Sequence, residues 1–284
     1  MEQDTSLKEI IEQELTREEI DLPIIKEMAS KLGHLLGNDD ADINNLSQMI
    51  EKDPSLTAKV LNLSNSVFYR GLGMVKSVDR AIARVGLSSI RNFLTTVSLK
   101  NVFKGEGAHF QERFKINWRH CLGCAVCCKR IAEHLKLRSS EDAYLVGLLH
   151  DIGVISIFNS LSKVSNRRET NREFSDELVN EIIGSFHASI GAKVLTRLNF
   201  EERLCKIVEF HHHPDEYPVK DDSLYHILQI SDMIMRKIGI AFDPDPDLSI
   251  VSKPDMTKLG LDPLFVAILE VDLEDALVNM ENMI

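Results

Sequence analysis

The 284-residue sequence predicts an all-α protein on three observations. Apolar residues recur at spacings of three and four through most of the chain, the mark of a helix with one buried face. Capping and stop signals bracket these stretches. No segment shows the sustained alternation with turn chemistry that a half-buried strand requires.

The elements follow in order. Leu46, Met49 and Ile50 have helical spacing. Asp53 reads as an N-cap with Pro54 at the first helical position, opening a helix lined by Leu56, Val60 and Leu63. Val78, Ile82 and Val85 form a short face stopped by Gly86, and Ser88 is expected to cap the next helix, with Ile90, Phe93, Leu94 and Val97 as its stripe. The polar stretch Lys104–Glu112 is the expected junction between two helical halves. Helical periodicity then runs from Asn117 to Leu137. Ser162–Glu177, containing Arg167, Arg168 and Arg172, reads as a surface loop, and the proline-rich Asp243–Pro254 precedes a closing helix over Asp262–Met280.

Composition bounds the function classes. With 44% hydrophobic and 27% charged residues the chain can bury a real core. A net charge of −11 argues against a dedicated nucleic-acid binder. Charge is uneven: residues 1–53 carry a net −9, while residues 54–104 hold eight Lys and Arg against the single acid Asp79. The basic segment, with the helix–Gly–helix look of a DNA-binding turn over Ala81–Ile90, fits an acidic partner or nucleic acid, or else a solvated face that balances the N-terminus. The scarcity of aromatics and the lack of a base-reading motif favour the solvated face. No signal-peptide pattern opens the chain. The apolar run Ala143–Phe158 is too short to span a bilayer. A cytoplasmic protein without membrane attachment is the expectation.

Chemistry is suggested where ionisable residues occupy apolar positions. His120 shares a stripe with Ile116, Cys124, Cys127 and Ile131. His150 and Asp151 interrupt Ala143–Phe158. His187 aligns with Ile183, Ile190 and Val194; His211 follows Leu204, Ile207 and Val208, with His212 beside it. Asp232 aligns with Leu224, Leu228 and Met235. A buried carboxylate without a partner costs on the order of several kcal/mol. The economical solution is that these side chains meet around a bound cation, one or two ions. Imidazole and carboxylate donors suit Fe, Mn, Zn, Ni or Co. The CxxCxxC run Cys121–Cys124–Cys127, followed by Cys128, hints at an iron–sulfur or zinc site, but a continuous helix fans the thiols apart, which favours packing cysteines.

LLHDIG around His150–Asp151, with His120 before it and Asp232 after it, resembles the HD superfamily of metal-dependent phosphohydrolases. Leu22–Pro23, Ile50–Gly71 (IEKDPSLTAKVLNLSNSVFYRG) and Ser77–Asn92 (SVDRAIARVGLSSIRN) narrow the resemblance to its HDOD branch. The resemblance implies an HD-domain-like helical bundle in two subdomains. It divides the chain into an N-terminal extension (1–21), an HDOD subdomain (22–106), an HD-like metal-site subdomain (107–242) and a tail helix (243–284). It implies His120, His150, Asp151 and Asp232 as a first metal site. His187, His211 and His212 match the further ligands of the HD-GYP cyclic-di-GMP phosphodiesterases, with Asp151 bridging. Two departures stand out. The HD-GYP lysine three residues after the HD aspartate is Val154 here, and the HHExxDGxGYP segment is replaced by HHHPDEYP over His211–Pro218.

The resemblance implies a bacterial signal-transduction or regulatory protein acting through a signalling protein partner or a small nucleotide ligand. The alternative is a metal-dependent phosphohydrolase or phosphodiesterase acting on a nucleotide or cyclic dinucleotide, with Asp151 as candidate catalytic residue.

Overall fold

In the computed structural model, residues 43–66, 69, 71, 73–102, 110–166 and 174–284 are described. Among them every regular element is helical and no strand occurs. The helices are α1 (Ile43–Glu51), α2 (Pro54–Asn65), α3 (Val78–Val85), α4 (Leu87–Val102), α5 (Gln111–His134), α6 (Ser140–Leu149), α7 (Ile152–Asn166), α8 (Asp176–Arg197), α9 (Glu202–Phe210), α10 (Ser223–Lys237), α11 (Pro254–Leu259) and α12 (Pro263–Met283).

The predicted boundaries have physical counterparts. Asp53 Oδ1 accepts from the Ser55 and Leu56 amides at 2.8 and 3.2 Å, with Pro54 at the first position of α2. Gly86 ends α3 at φ 91°, a conformation open to glycine. Ser88 does not cap the following helix: α4 already begins at Leu87, so Ser88 lies within its first turn. Ser162–Glu177 is not a loop throughout, because α7 continues to Asn166 and α8 begins at Asp176 behind its N-cap Ser175. Arg167, Arg168 and Arg172, the span 103–109 of the expected junction, Leu22–Pro23 and the acidic N-terminal segment lie outside the described residues. The closing helix is α12, capped by Asp262, whose carboxylate accepts from the Leu264 amide at 2.8 Å.

Helix α5 is the central post. It packs along α6 and is also contacted by α10 and α12, while α8 packs between α7 and α9. The α5–α6 crossing is close because Gly147 brings no side chain: a Cβ there would lie 2.6 Å from the Cys124 backbone. Cys121, Cys124, Cys127 and Cys128 are free thiols, all fully buried in these contacts, as expected of packing cysteines. The stretch Ser140–Val164, through α6 and α7, passes a membrane-span test on length and composition, but 89% of its most apolar window is inside the protein. Its hydrophobicity is that of a core helix pair. Lys59 Nζ donates to the Ile284 carbonyl at 2.7 Å, tying α2 to the end of α12.

Candidate metal centre

Five helices deliver ionisable side chains to one place. His120 comes from the middle of α5, His150 and Asp151 from the α6–α7 junction, His187 from α8, His211 and His212 from the end of α9, and Asp232 from α10. All seven residues singled out in the sequence therefore converge. The ligand-capable atoms fall into two groups, each within 4.8 Å: His120, Cys124, His150 and Asp232 in one, Asp151, His187, His211 and His212 in the other. Asp151 spans them. Its Oδ2 lies 3.5 Å from His150 Nε2 and 3.8 Å from His120 Nε2, and its Oδ1 lies 3.4 and 3.5 Å from His187 and His211 Nε2.

The local backbone explains this convergence. At the α6–α7 junction the Val154 amide bonds to the Asp151 carbonyl at 3.0 Å, tightening the turn that presents both His150 and Asp151. Gly153 then lets α7 touch α8, because a Cβ there would overlap the His187 carbonyl. Helix α9 ends at Phe210, and its terminal carbonyls are taken up by α10: Tyr225 donates to Phe210 O at 3.3 Å and Gln229 to His211 O at 2.5 Å. Helix α10 is anchored at its start by the buried N-cap Asp222, gripped by Arg203 at 2.6 and 3.0 Å and by Tyr217 at 2.7 Å.

Four imidazoles share one hydrogen-bonding plan. The Nδ1 atoms of His120, His150, His187 and His211 lie 2.8, 2.8, 2.6 and 2.6 Å from the carbonyls of Ile240, Gly147, Ile183 and Val208. A carbonyl only accepts, so each Nδ1 carries the proton and each Nε2 is left to face the centre. There the Nε2 atoms stand in pairs, His120 with His150 and His187 with His211, each 3.2 Å apart. Two neutral imidazoles held this way oppose lone pair to lone pair. A positive species between them relieves the conflict, and oriented imidazoles backed by carbonyls are how proteins hold metal ions.

The electrostatics agree. Burial would lower the His120 imidazole, but the hydrogen bond and charge of Asp232, with Asp151 behind, push it up to about 9. Burial lowers His150 to about 4 against the pull of Asp151. In the second pair burial opposes but Asp151 raises His211, while burial lowers His187. Each pair thus combines one ring whose affinity for a proton is raised with one whose affinity is lowered. Burial would raise both aspartates, but His150, His211, His187 and His120 hold Asp151 well below the usual range, and His120 holds Asp232 down to about 2. Asp151 Oδ1 is buried without a hydrogen bond of proper geometry, a costly state for a carboxylate that a cation would satisfy. The chemistry of the donor set, imidazole nitrogens with carboxylate oxygens, fits bound metal.

One member was not anticipated. Cys124 Sγ lies 3.7 Å from His120 Nε2 beneath the first group. Burial raises its thiol well above the ordinary value, so it is a neutral neighbour. Its position four residues after His120, hence one helical turn away, was the available signal.

The centre is reached through a cleft of about 280 Å³ lined by His120, Asp151, His187, His212 and Asp232 together with Asn180, Arg236 and Phe242. Val154, at the HD-GYP lysine position, is fully buried and contributes nothing to it.

Fold and site together define an all-α protein with a buried His/Asp cluster suited to metal. The chain belongs to the HDOD domain family, whose pattern matches residues 22–214. It is similar in fold to an HDOD domain protein of unknown function from Geobacter sulfurreducens (TM-score 0.70, 22% identity, 92% of this chain and 91% of that one). It is likewise similar to a candidate signal transduction protein from Marinobacter aquaeolei VT8 (TM-score 0.64, 19% identity, 97% and 64%). A third such structure is a candidate metal-dependent phosphohydrolase from Shewanella amazonensis SB2B (TM-score 0.65, 16% identity, 93% and 96%). An uncharacterised protein of Treponema pallidum (strain Nichols) is 22% identical over 224 residues, 76% of this chain. The match spans 42% of that relative's length.

Proposed function

We propose that this protein is a signalling module in which a two-ion centre binds a small phosphate-bearing ligand, and that a partner protein reads the ligand-bound state. The observation that carries the reading is Asp151, one carboxylate oxygen turned to each imidazole pair, at the base of an open cleft. His120, His150, Asp232 and Asp151 Oδ2 would hold one ion; His187, His211, His212 and Asp151 Oδ1 the other. Bound there, two divalent cations supply concentrated positive charge and Lewis acidity toward a phosphate. The chain's own part is to orient four imidazoles through backbone carbonyls and to keep the far side of the centre dry with α5, α6 and α7. The buried Val154 favours binding over turnover, because it leaves no lysine to stabilise charge on a phosphate at that position.

A second reading, hydrolysis of a phosphoester, is favoured by one specific feature: five of the ligand residues themselves line the cleft, so a bound phosphate would touch the ions directly. Elemental analysis of protein purified without chelator tests both readings. Close to two ions per chain, lost in Asp151→Ala, is the expected result; a metal-free wild-type protein that also takes up no added Mn or Fe would end both. Turnover of cyclic dinucleotides, nucleotides or generic phosphodiesters with Mn or Fe, abolished by Asp151→Ala, would replace the first reading by the second.

A further inference from the structure

The half of the cleft away from the imidazoles has its own chemistry. Among the described residues lining it, Arg236 is the single Lys or Arg. It follows Asp232 by four residues on α10 and so projects from the same helix face. Its side chain is about one-third exposed and pairs with Asp243, Nη2 to Oδ2 at 2.8 Å, while Asp243 is itself mostly solvated. Its Nε also donates to the Asp243 carbonyl at 3.5 Å. An arginine presents five N–H donors, so these two contacts leave the rest of its fork for a guest.

Its surroundings are shaped for a guest. On the opposite wall, Asn180 lies two helical turns before His187 on α8. Its Oδ1 accepts from Arg113 at 2.8 Å, which turns the amide N–H groups to donor duty. Gly184, between Asn180 and His187, leaves the wall bare: a Cβ there would meet nothing within 4 Å. The segment carrying Asp243 is set by the backbone. The Ile240 amide bonds to Met235 O at 2.9 Å, the Asp245 amide to Arg236 O at 3.0 Å, and the Ile240 carbonyl receives His120 Nδ1. Arg236, Asp243 and the metal ligand His120 are thereby held in one frame.

We infer that Arg236, with Asn180 opposite, forms an anion subsite that grips the phosphate group of the ligand, with Asp243 as the carboxylate the phosphate must outcompete. The inference rests on the proposed two-ion centre and supplies the cation that Val154 does not. A phosphate between the ions and Arg236 meets positive charge from two sides, and guanidinium–phosphate pairing is strong where both members leave water. Asp243 tunes the grip, since its negative charge competes for the same donors.

Calorimetric titration of Mn-loaded protein with inorganic phosphate tests this, with metal content measured in the same samples. Arg236→Ala should weaken phosphate binding about tenfold or more at unchanged metal content, Arg236→Lys by less, and Asp243→Asn should tighten it several-fold. Gly184→Leu, which adds bulk to this wall of the cleft, should also reduce binding. Wild-type affinity in Arg236→Ala, or no saturable phosphate binding by wild-type protein that retains its metal, would overturn the subsite. Absence of metal from wild-type protein would instead overturn the two-ion reading, and the elemental data tell the two failures apart.

Discussion

The α-carbon of Gly153 packs directly against the carbonyl of His187, with no room between α7 and α8 for even a methyl group. This contact sets the depth at which His187 enters the cluster. Gly153→Ala should force the helices apart, with a cost of about 1–3 kcal/mol for overpacking. It should also lower the metal content of the group containing His187 and His211. Urea midpoints and elemental analysis check both effects; Gly184→Ala, in open space on α8, should lack the overpacking penalty.

The two ligand groups should be separable by substitution. Asp232→Asn removes a carboxylate from the His120–His150 pair only, and His187→Gln removes an imidazole from the other pair only. Each variant is expected to keep about one ion, whereas Asp151→Ala keeps neither. Stoichiometry by elemental analysis after loading with Mn reads the difference.

The metal-free protein should lose stability in mild alkali. His120 titrates at about 9 in the fold against 6.5 unfolded, so the folded state holds the extra proton. That contribution is complete below pH 6.5 and disappears as pH rises through about 9, at up to about 1.4 kcal/mol per pH unit. His150, lowered to about 4, works the other way and costs stability as pH falls below 6.5. Metal must displace the His120 proton, so apparent affinity for Mn should rise about tenfold per pH unit between pH 7 and 9. Denaturant melts with and without metal across this range, and a competition titration for affinity, measure it.

Away from the centre, Lys129 and Glu141 form a mostly buried ion pair at 2.6 Å, with Ser89 and Asn92 completing the bonds to the carboxylate. It pins α4 to α5 and α6. Lys129→Met should cost about 3–5 kcal/mol by leaving the carboxylate without its counter-charge. Adding Glu141→Leu should recover part of that loss. Chemical denaturation of both variants checks the prediction.

Much of the site was legible in the sequence because each ligand stands at a position whose neighbours at three and four residues are apolar. His187 among Ile183, Ile190 and Val194 is the plainest case. The cap Asp53 was also legible, as was a closing helix from Asp262, which is the cap of α12. The start of α4 was not, since Ser88 has the side chain of a cap but lies one residue inside the helix. Helix α11 escaped because six residues between prolines and glycine carry too little periodicity to register. Cys124 escaped as a neighbour of the centre because the CxxCxxC run reads as a whole, although Cys124 alone stands one turn after His120. Arg236 was hidden for a different reason: its partners, Asp243 and Asn180, come from a segment and a helix whose proximity exists only in three dimensions.

Because both halves of the centre lean on the single carboxylate of Asp151, neither can gain or lose an occupant without disturbing the other. An ion held by Oδ2 and one pair of rings would fix the orientation in which Oδ1 meets the second pair. Successive loading steps are thereby thermodynamically linked, and the link is reciprocal. With both ions bound, the position of one side chain would report on both compartments at once.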